Sequence, residues 1–347
     1  MFKIPRRTYP ELDTLRLISV LLIVVHHFFC RDNKVLAWFS DYGSVGVDFF
    51  FVISGFIITR NLLREYELTQ DISFKNFWLN RIIRLWPSWL ICFVTLLLLS
   101  PSYEYWWHYL LHFGNYSLTL TQSFQRYTLF WSLAVEEHFY LIWPVLIYFF
   151  LRHPRKKITG LLLLLFLPLA FRIYHSFTSN NPILNRFATH TRFDQLMIGC
   201  ILAFILDKLP KLNWKSEIFL SVSVVTLLTL AFYKLQLIQG PSIIAQLYYS
   251  FTALAAALLI VIALKGKDRG LRALLKIPIL ADLGILSYGV YLVHTIYIIL
   301  LLKINISLKL NMGGNLAVII TLIASFLTAY LLYVFVDLPL SHFKRKR

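Results

Sequence analysis

Apolar residues along this chain do not form the narrow stripes of a surface helix. They run in blocks about as long as a bilayer is thick, separated by short polar stretches. Ten blocks can be marked, at residues 12–30, 44–62, 82–100, 129–150, 158–174, 193–207, 217–236, 243–264, 279–302 and 315–338. The fifth contains Pro168, and the sixth opens on Arg192 and Asp194. No internal repeat, low-complexity linker or long hydrophilic stretch interrupts the series. The pattern predicts an all-α, polytopic integral membrane protein of about ten transmembrane helices, with residues 1–347 as a single domain.

Composition sharpens this picture. Hydrophobic residues make up 58% of the 347, above the 45–50% usual for a soluble domain, and mean hydropathy is +0.67. The formal net charge of +17 raises the possibility of nucleic acid, but its distribution argues against that partner. With the N-terminus placed in the cytoplasm and the spans alternating, 24 of the 34 Lys and Arg residues fall on the cytoplasmic side and 9 on the other, with Arg16 inside the first span. This is the positive-inside asymmetry, and it predicts both termini in the cytoplasm with the basic surplus facing membrane lipid. The first block has no small-residue cleavage site after its apolar run and reads as a retained helix, not a signal peptide. Cys30, Cys92 and Cys200 have no metal-like spacing and read as packing residues. Nothing in the sequence indicates an oligomeric state.

The polar residues left inside the blocks carry the candidate chemistry, because charge in a bilayer is costly. LDTLRLISVLLIVVHHFF (12–29) holds Asp13, Arg16, His26 and His27. Eleven residues of helix return within about 20° of the starting direction, so Arg16 and His27 share a face, separated by a rise of roughly 16 Å, while His26 points away. His27 is expected deep in the span and Arg16 near its cytoplasmic end. An interfacial Asp13–Arg16 pair with two structurally bonded histidines is the alternative. GSVGVDFFFVISGF (43–56) combines Asp48 with glycines that favour close helix packing. NRIIRLWP (80–87) puts Arg81 and Arg84 on one face at a helix start, a suitable phosphate cradle or simply a charged anchor. FWSLAVEEHFYLIWP (130–144) holds the adjacent acids Glu136 and Glu137, whose side chains diverge, so that one can face a cavity while the other bonds to a neighbouring helix. RFDQLMIGCILAF (192–204) and SYGVYLVH (287–294) supply Arg192, Asp194, Ser287, Tyr291 and His294, which suit either a polar cavity or helix–helix hydrogen bonds. His108 and His112 are four apart without a third ligand, beside Trp106 and Trp107. They read as an interfacial aromatic belt, and no metal site is expected.

Taken in order, LDTLR with His27 eleven residues after its arginine, GVDFFFVISGF, RIIRLWP, WSLAVEEHFYLIWP, RFDQLMIGCILA and SYGVYLVH resemble membrane acyltransferase family 3, which includes bacterial O-antigen and nodulation-factor O-acetyltransferases. The resemblance extends over nearly the whole chain. It implies about ten helices, acyl-CoA (most often acetyl-CoA) as co-substrate with no permanently bound cofactor, and a hydroxyl of an extracytoplasmic or lipid-linked glycan as acceptor. The family's arginine–ten residues–histidine motif falls on Arg16 and His27, its paired arginines on Arg81 and Arg84, and its glutamate pair on Glu136 and Glu137. Some members carry a fused soluble C-terminal domain. This chain stops at Arg347, and no such domain is expected. FVDLP (335–339) has Asp337 where relatives often show Glu.

The resemblance and the spacing together suggest a mechanism. Arg81 and Arg84, with Arg16, would hold the CoA phosphates. His27 would serve as general base or transient acyl carrier, oriented by Glu136 or Glu137. Asp13, Asp48, Arg192, Asp194, Ser287, Tyr291 and His294 would line the polar cavity and position the acceptor. A polar-solute transporter and a non-catalytic glycan-binding subunit are the alternatives. The implied location is a bacterial inner membrane.

Overall fold

A computed structural model describes residues 9–28, 34–99, 106–121, 128–179, 181–235, 243–308 and 313–344. Among them there is no strand. Ten long helices carry the fold: α1 (Pro10–His26), α2 (Val45–Thr69), α3 (Phe74–Leu99), α4 (Trp131–Arg152), α5 (Pro154–Thr178), α6 (Thr189–Ile205), α7 (Trp214–Leu235), α8 (Tyr248–Lys265), α9 (Ser287–Leu308) and α10 (Gly314–Leu332). Eight of the ten are long and apolar enough to cross a membrane. The exceptions, α1 and α6, have 17 residues each, about 26 Å of helix, and both sit inside the bundle. The chain is thus an all-α polytopic membrane protein.

Two expected spans are broken. The block at 279–302 divides into a short helix, Pro278–Ile285, and α9, which begins at Ser287. The break lets Gly284 meet the α1 backbone, where a Cβ would lie 2.0 Å from the Asp13 carbonyl oxygen. The block at 243–264 begins with a separate turn, Ile243–Gln246, before α8. The last block continues from α10 into a π-helical turn, Tyr333–Asp337, and a short helix, Leu338–Ser341.

Three apolar clusters hold the bundle together. One joins α1, α2, α6 and α8 through residues such as Leu12, Phe56, Leu202 and Ile260. A second joins α1, α3, α9 and α10 through Ile23, Phe93, Leu292 and Ala329. The third joins α2, α4, α5 and α6 through Phe51, Trp143, Leu161 and Met197. Helix α7 lies at the margin against α8. The central crossing of α2 and α6 is reciprocal: a Cβ on Gly55 would stand 2.1 Å from the Leu196 oxygen, and one on Gly199 2.1 Å from the Val52 oxygen. Only glycine allows backbones this close, which is the usual reason for small residues at membrane helix contacts. Gly46 serves α1 the same way, against the Ser19 oxygen. Cys92 and Cys200 are buried free thiols, and Cys30 lies outside the described residues.

Candidate active site

The crossing of α1 with α2, and of α3 with α4 and α9, leaves a cavity of about 430 Å³. Asp13 and Arg16 reach it from α1, Ser54 and Asn61 from α2, and Arg81 and Arg84 from α3. Ser132, Glu136 and Tyr140 come from α4, and Ser287, Tyr288 and Tyr291 from α9. Three guanidiniums therefore face two carboxylates, a surplus of cation suited to an anionic ligand. Arg16 pairs with Asp13 at 3.5 Å. The Arg81 guanidinium lies 5.4 Å from the centres of both the Phe77 and Tyr140 rings. Arg81 and Arg84 share the cavity because they are three residues apart on α3, one helical face.

The adjacent glutamates diverge as helix geometry requires. Glu136 accepts hydrogen bonds from Ser54 Oγ (2.7 Å) and Tyr140 OH (2.9 Å) at the cavity wall. Glu137 faces a small neighbouring hollow with Trp86, Trp89 and His112.

His27 is outside the cavity lining. Helix α1 ends at His26, so the His27 side chain is exposed at the end remote from Arg16, where burial deep in the span was expected. Its Nδ1 bonds to the Ile23 carbonyl at 2.8 Å. A carbonyl only accepts, so Nδ1 carries the proton and Nε2 presents a lone pair. His27 packs against His294, with ring centres 5.0 Å apart. His294 is fully buried, and its Nδ1 donates to the Tyr291 carbonyl at 2.7 Å. Tyr291 stands between this histidine pair and the cavity. Its hydroxyl is 2.6 Å from both Ser132 Oγ and the Leu129 carbonyl. His26 bonds instead to the Ser40 carbonyl at 2.5 Å, away from both.

The other sequence candidates lie elsewhere. Asp48 and Arg192 form a buried ion pair (2.5 Å) joining α2 to α6. Asp194 receives two bonds from Arg172 of α5, at 2.9 and 2.7 Å, with both side chains buried. Neither pair lines the cavity. Arg172, which the sequence reading did not single out, is wholly enclosed; the signal that could have found it is a lone cation in an apolar block. His108 and His112 do not share a helix face. The helix ends at Leu110, and His112 takes φ 58° and packs on Trp86 and Trp89. Asp337 also gains a place: it accepts a 2.6 Å bond from Ser88, one turn after Arg84, and the π-turn that carries it brings Tyr333 to the cavity.

Comparison with known proteins identifies relatives along the chain. "O-acetyltransferase OatA" of Staphylococcus aureus (strain NCTC 8325 / PS 47) is 34% identical over 220 residues, 57% of this chain and 35% of that protein. "Peptidoglycan O-acetyltransferase OatA" of Listeria monocytogenes serovar 1/2a is 26% identical over 96% of this chain and 56% of its own length. The chain thus spans only about a third to a half of these relatives. No solved structure matches it. The model of the acyltransferase domain of family 3 matches residues 9–334, every helix from α1 to α10 included, and the chain belongs to that family.

Proposed function

We propose that the protein is a membrane O-acyltransferase that moves an acyl group, most simply acetyl, from acyl-CoA to a hydroxyl of a cell-surface polysaccharide. The supporting observation is the division of one helix between two kinds of chemistry. Arg16 faces a cationic cavity with Arg81 and Arg84, while His27, about 16 Å further along α1, is exposed at the opposite end with a free Nε2. A CoA is anionic at its nucleotide end and reactive at the far end of a long pantetheine arm, and this separation suits it. The relatives' names, O-acetyltransferase and peptidoglycan O-acetyltransferase, favour acetyl and a cell-wall glycan.

In this reading the arginines bind the CoA phosphates on the cytoplasmic side, where the surplus of positive charge lies. The acceptor meets His27 from the other side. His27 Nε2 takes the hydroxyl proton as the oxygen attacks the thioester carbonyl. The new C–O bond forms, the C–S bond breaks, and the CoA thiolate leaves and is protonated. Buried His294 holds the His27 ring in place, and Glu136 balances the arginine charge. The Tyr291–Ser132 contact closes the cavity toward the histidines, so the acyl group passes when that contact opens.

Purified protein in lipid, given acetyl-labelled acetyl-CoA and a crude glycan pool, tests the reading. Label should reach glycan with wild type and not with His27→Ala. CoA binding with equal transfer by both proteins would remove His27 from the chemistry, and failure to bind CoA would favour a transporter.

A further inference from the structure

A second hollow, of about 750 Å³, opens between α6, α7 and α8, away from the arginine cavity. Its wall is almost wholly aliphatic or aromatic: Ile198, Ile201, Leu202, Phe219, Leu254 and Val261 are typical. Phe219 and Leu254 are exposed, so the hollow is an open groove and not a sealed void. Its polar side chains are Lys215 and Ser216, together in the first turn of α7. That turn also carries Glu217, which accepts from the Lys267 backbone, and it follows a segment in which Asp207 is bound to Arg60 while Lys208 and Lys211 are exposed; Lys157 of α5 lies close enough to Lys208 for the two to repel, so the surplus is positive. An apolar channel sunk between membrane helices thus ends under a cationic rim.

We infer that this groove is a binding site for an anionic phospholipid of the surrounding bilayer, one acyl chain lying along α6 and α8 and the headgroup phosphate held by Lys215. Charge complementarity selects the occupant. A neutral lipid satisfies the groove but leaves the rim unpaired, whereas a phosphate without a net counter-charge satisfies both. Ser216 offers a hydroxyl beside the ammonium for a phosphate oxygen. The inference does not depend on the acyl-transfer reading, because no residue of the groove lines the arginine cavity.

The test is lipid retention. Protein purified in detergent with equal amounts of phosphatidylglycerol and phosphatidylcholine of the same chains is delipidated stepwise, and the bound lipid is counted by native mass spectrometry. Wild type should keep phosphatidylglycerol preferentially. Lys215→Ala should lower that preference about fivefold, the equivalent of about 1 kcal/mol for a basic residue at an anionic surface. Lys215→Arg should keep it. Leu254→Trp, which fills the groove at an exposed position, should lower the lipid count whatever the headgroup. Circular dichroism and elution volume identify folded variants before they are compared. Equal retention of the two lipids, an unchanged preference in Lys215→Ala, or an unchanged count in Leu254→Trp overturns the inference. So does displacement of the phospholipid by palmitoyl-CoA or an isoprenoid phosphate at equal concentration, since the groove would then belong to a different chain.

Discussion

At the residue scale, the histidine pair gives the sharpest expectations. His26 and His27 are neighbours, yet one bonds across to Ser40 and the other back to Ile23. His27→Gln keeps a polar side chain but removes the basic nitrogen, and it should lower turnover about 10²–10⁴-fold with protein level unchanged, measured as acetyl transfer per folded molecule. His26→Ala should leave turnover near wild type and cost about 1 kcal/mol of stability by thermal unfolding, the usual net value of one hydrogen bond. That the two side chains point apart was readable from helical spacing, because only His27 lies on the Arg16 face. The exposure of His27 was not, since an apolar run does not show where its helix stops. The partner of Asp194 was also hidden: Arg172 lies 22 positions away in sequence, and only the packing of α5 on α6 brings them together. Arg172→Leu leaves a buried carboxylate uncompensated and should destabilise by about 3–5 kcal/mol, whereas the double change with Asp194→Leu should recover most of that loss. Thermal unfolding of both variants in the same detergent decides it.

At the element scale, glycines and a π-turn do what the hydropathy pattern cannot describe. Gly43, Gly46 and Gly55 signalled close helix approach, but the partners, α1 for the first two and α6 for the third, come only from the structure. A side chain at Gly199 would press on the Val52 carbonyl, an atom of backbone that cannot turn aside. Gly199→Val should therefore destabilise by about 1–3 kcal/mol, the range for overpacking, while a valine at open Gly313, where a Cβ meets nothing within 4 Å, should not. The comparison separates crowding from loss of glycine. The breaks after Ile285 and before Tyr248 fall inside apolar runs without a proline at the break, which is why the spans read as continuous. The π-turn at Tyr333–Asp337 was equally invisible, although such turns often occur at functional sites. Its Asp337 fastens the α3 face that carries Arg84 through Ser88. Asp337→Ala should raise the KM for acyl-CoA several-fold with a smaller effect on kcat, and Asp337→Glu should restore part of it; an unchanged KM would leave Asp337 with packing alone.

At the scale of the whole molecule, the charge asymmetry and the cavity make a joint statement about direction. Arg16, Arg81 and Arg84 line the cavity, and the basic segments after α4, α6 and α8 fall on the side that the charge pattern assigns to the cytoplasm. Positive charge is retained on the cytoplasmic side during insertion, so the acyl-transfer reading proposed above needs the arginines on that side and His27 displaced toward the other. The whole acyl-transfer reading depends on that orientation. Single cysteines can check it. Lys211 and Thr178 are exposed at opposite ends of the α5–α6 pair, and the described native thiols, Cys92 and Cys200, are buried. In a Cys30→Ser background, a membrane-impermeant maleimide applied to intact cells should label Thr178→Cys and spare Lys211→Cys until the membrane is opened. The reverse pattern would place Arg16, Arg81 and Arg84 outside the cell, where no acyl-CoA reaches them. The cationic cavity would then need an external anionic ligand, and transport of a polar solute would become the better account of the buried charges.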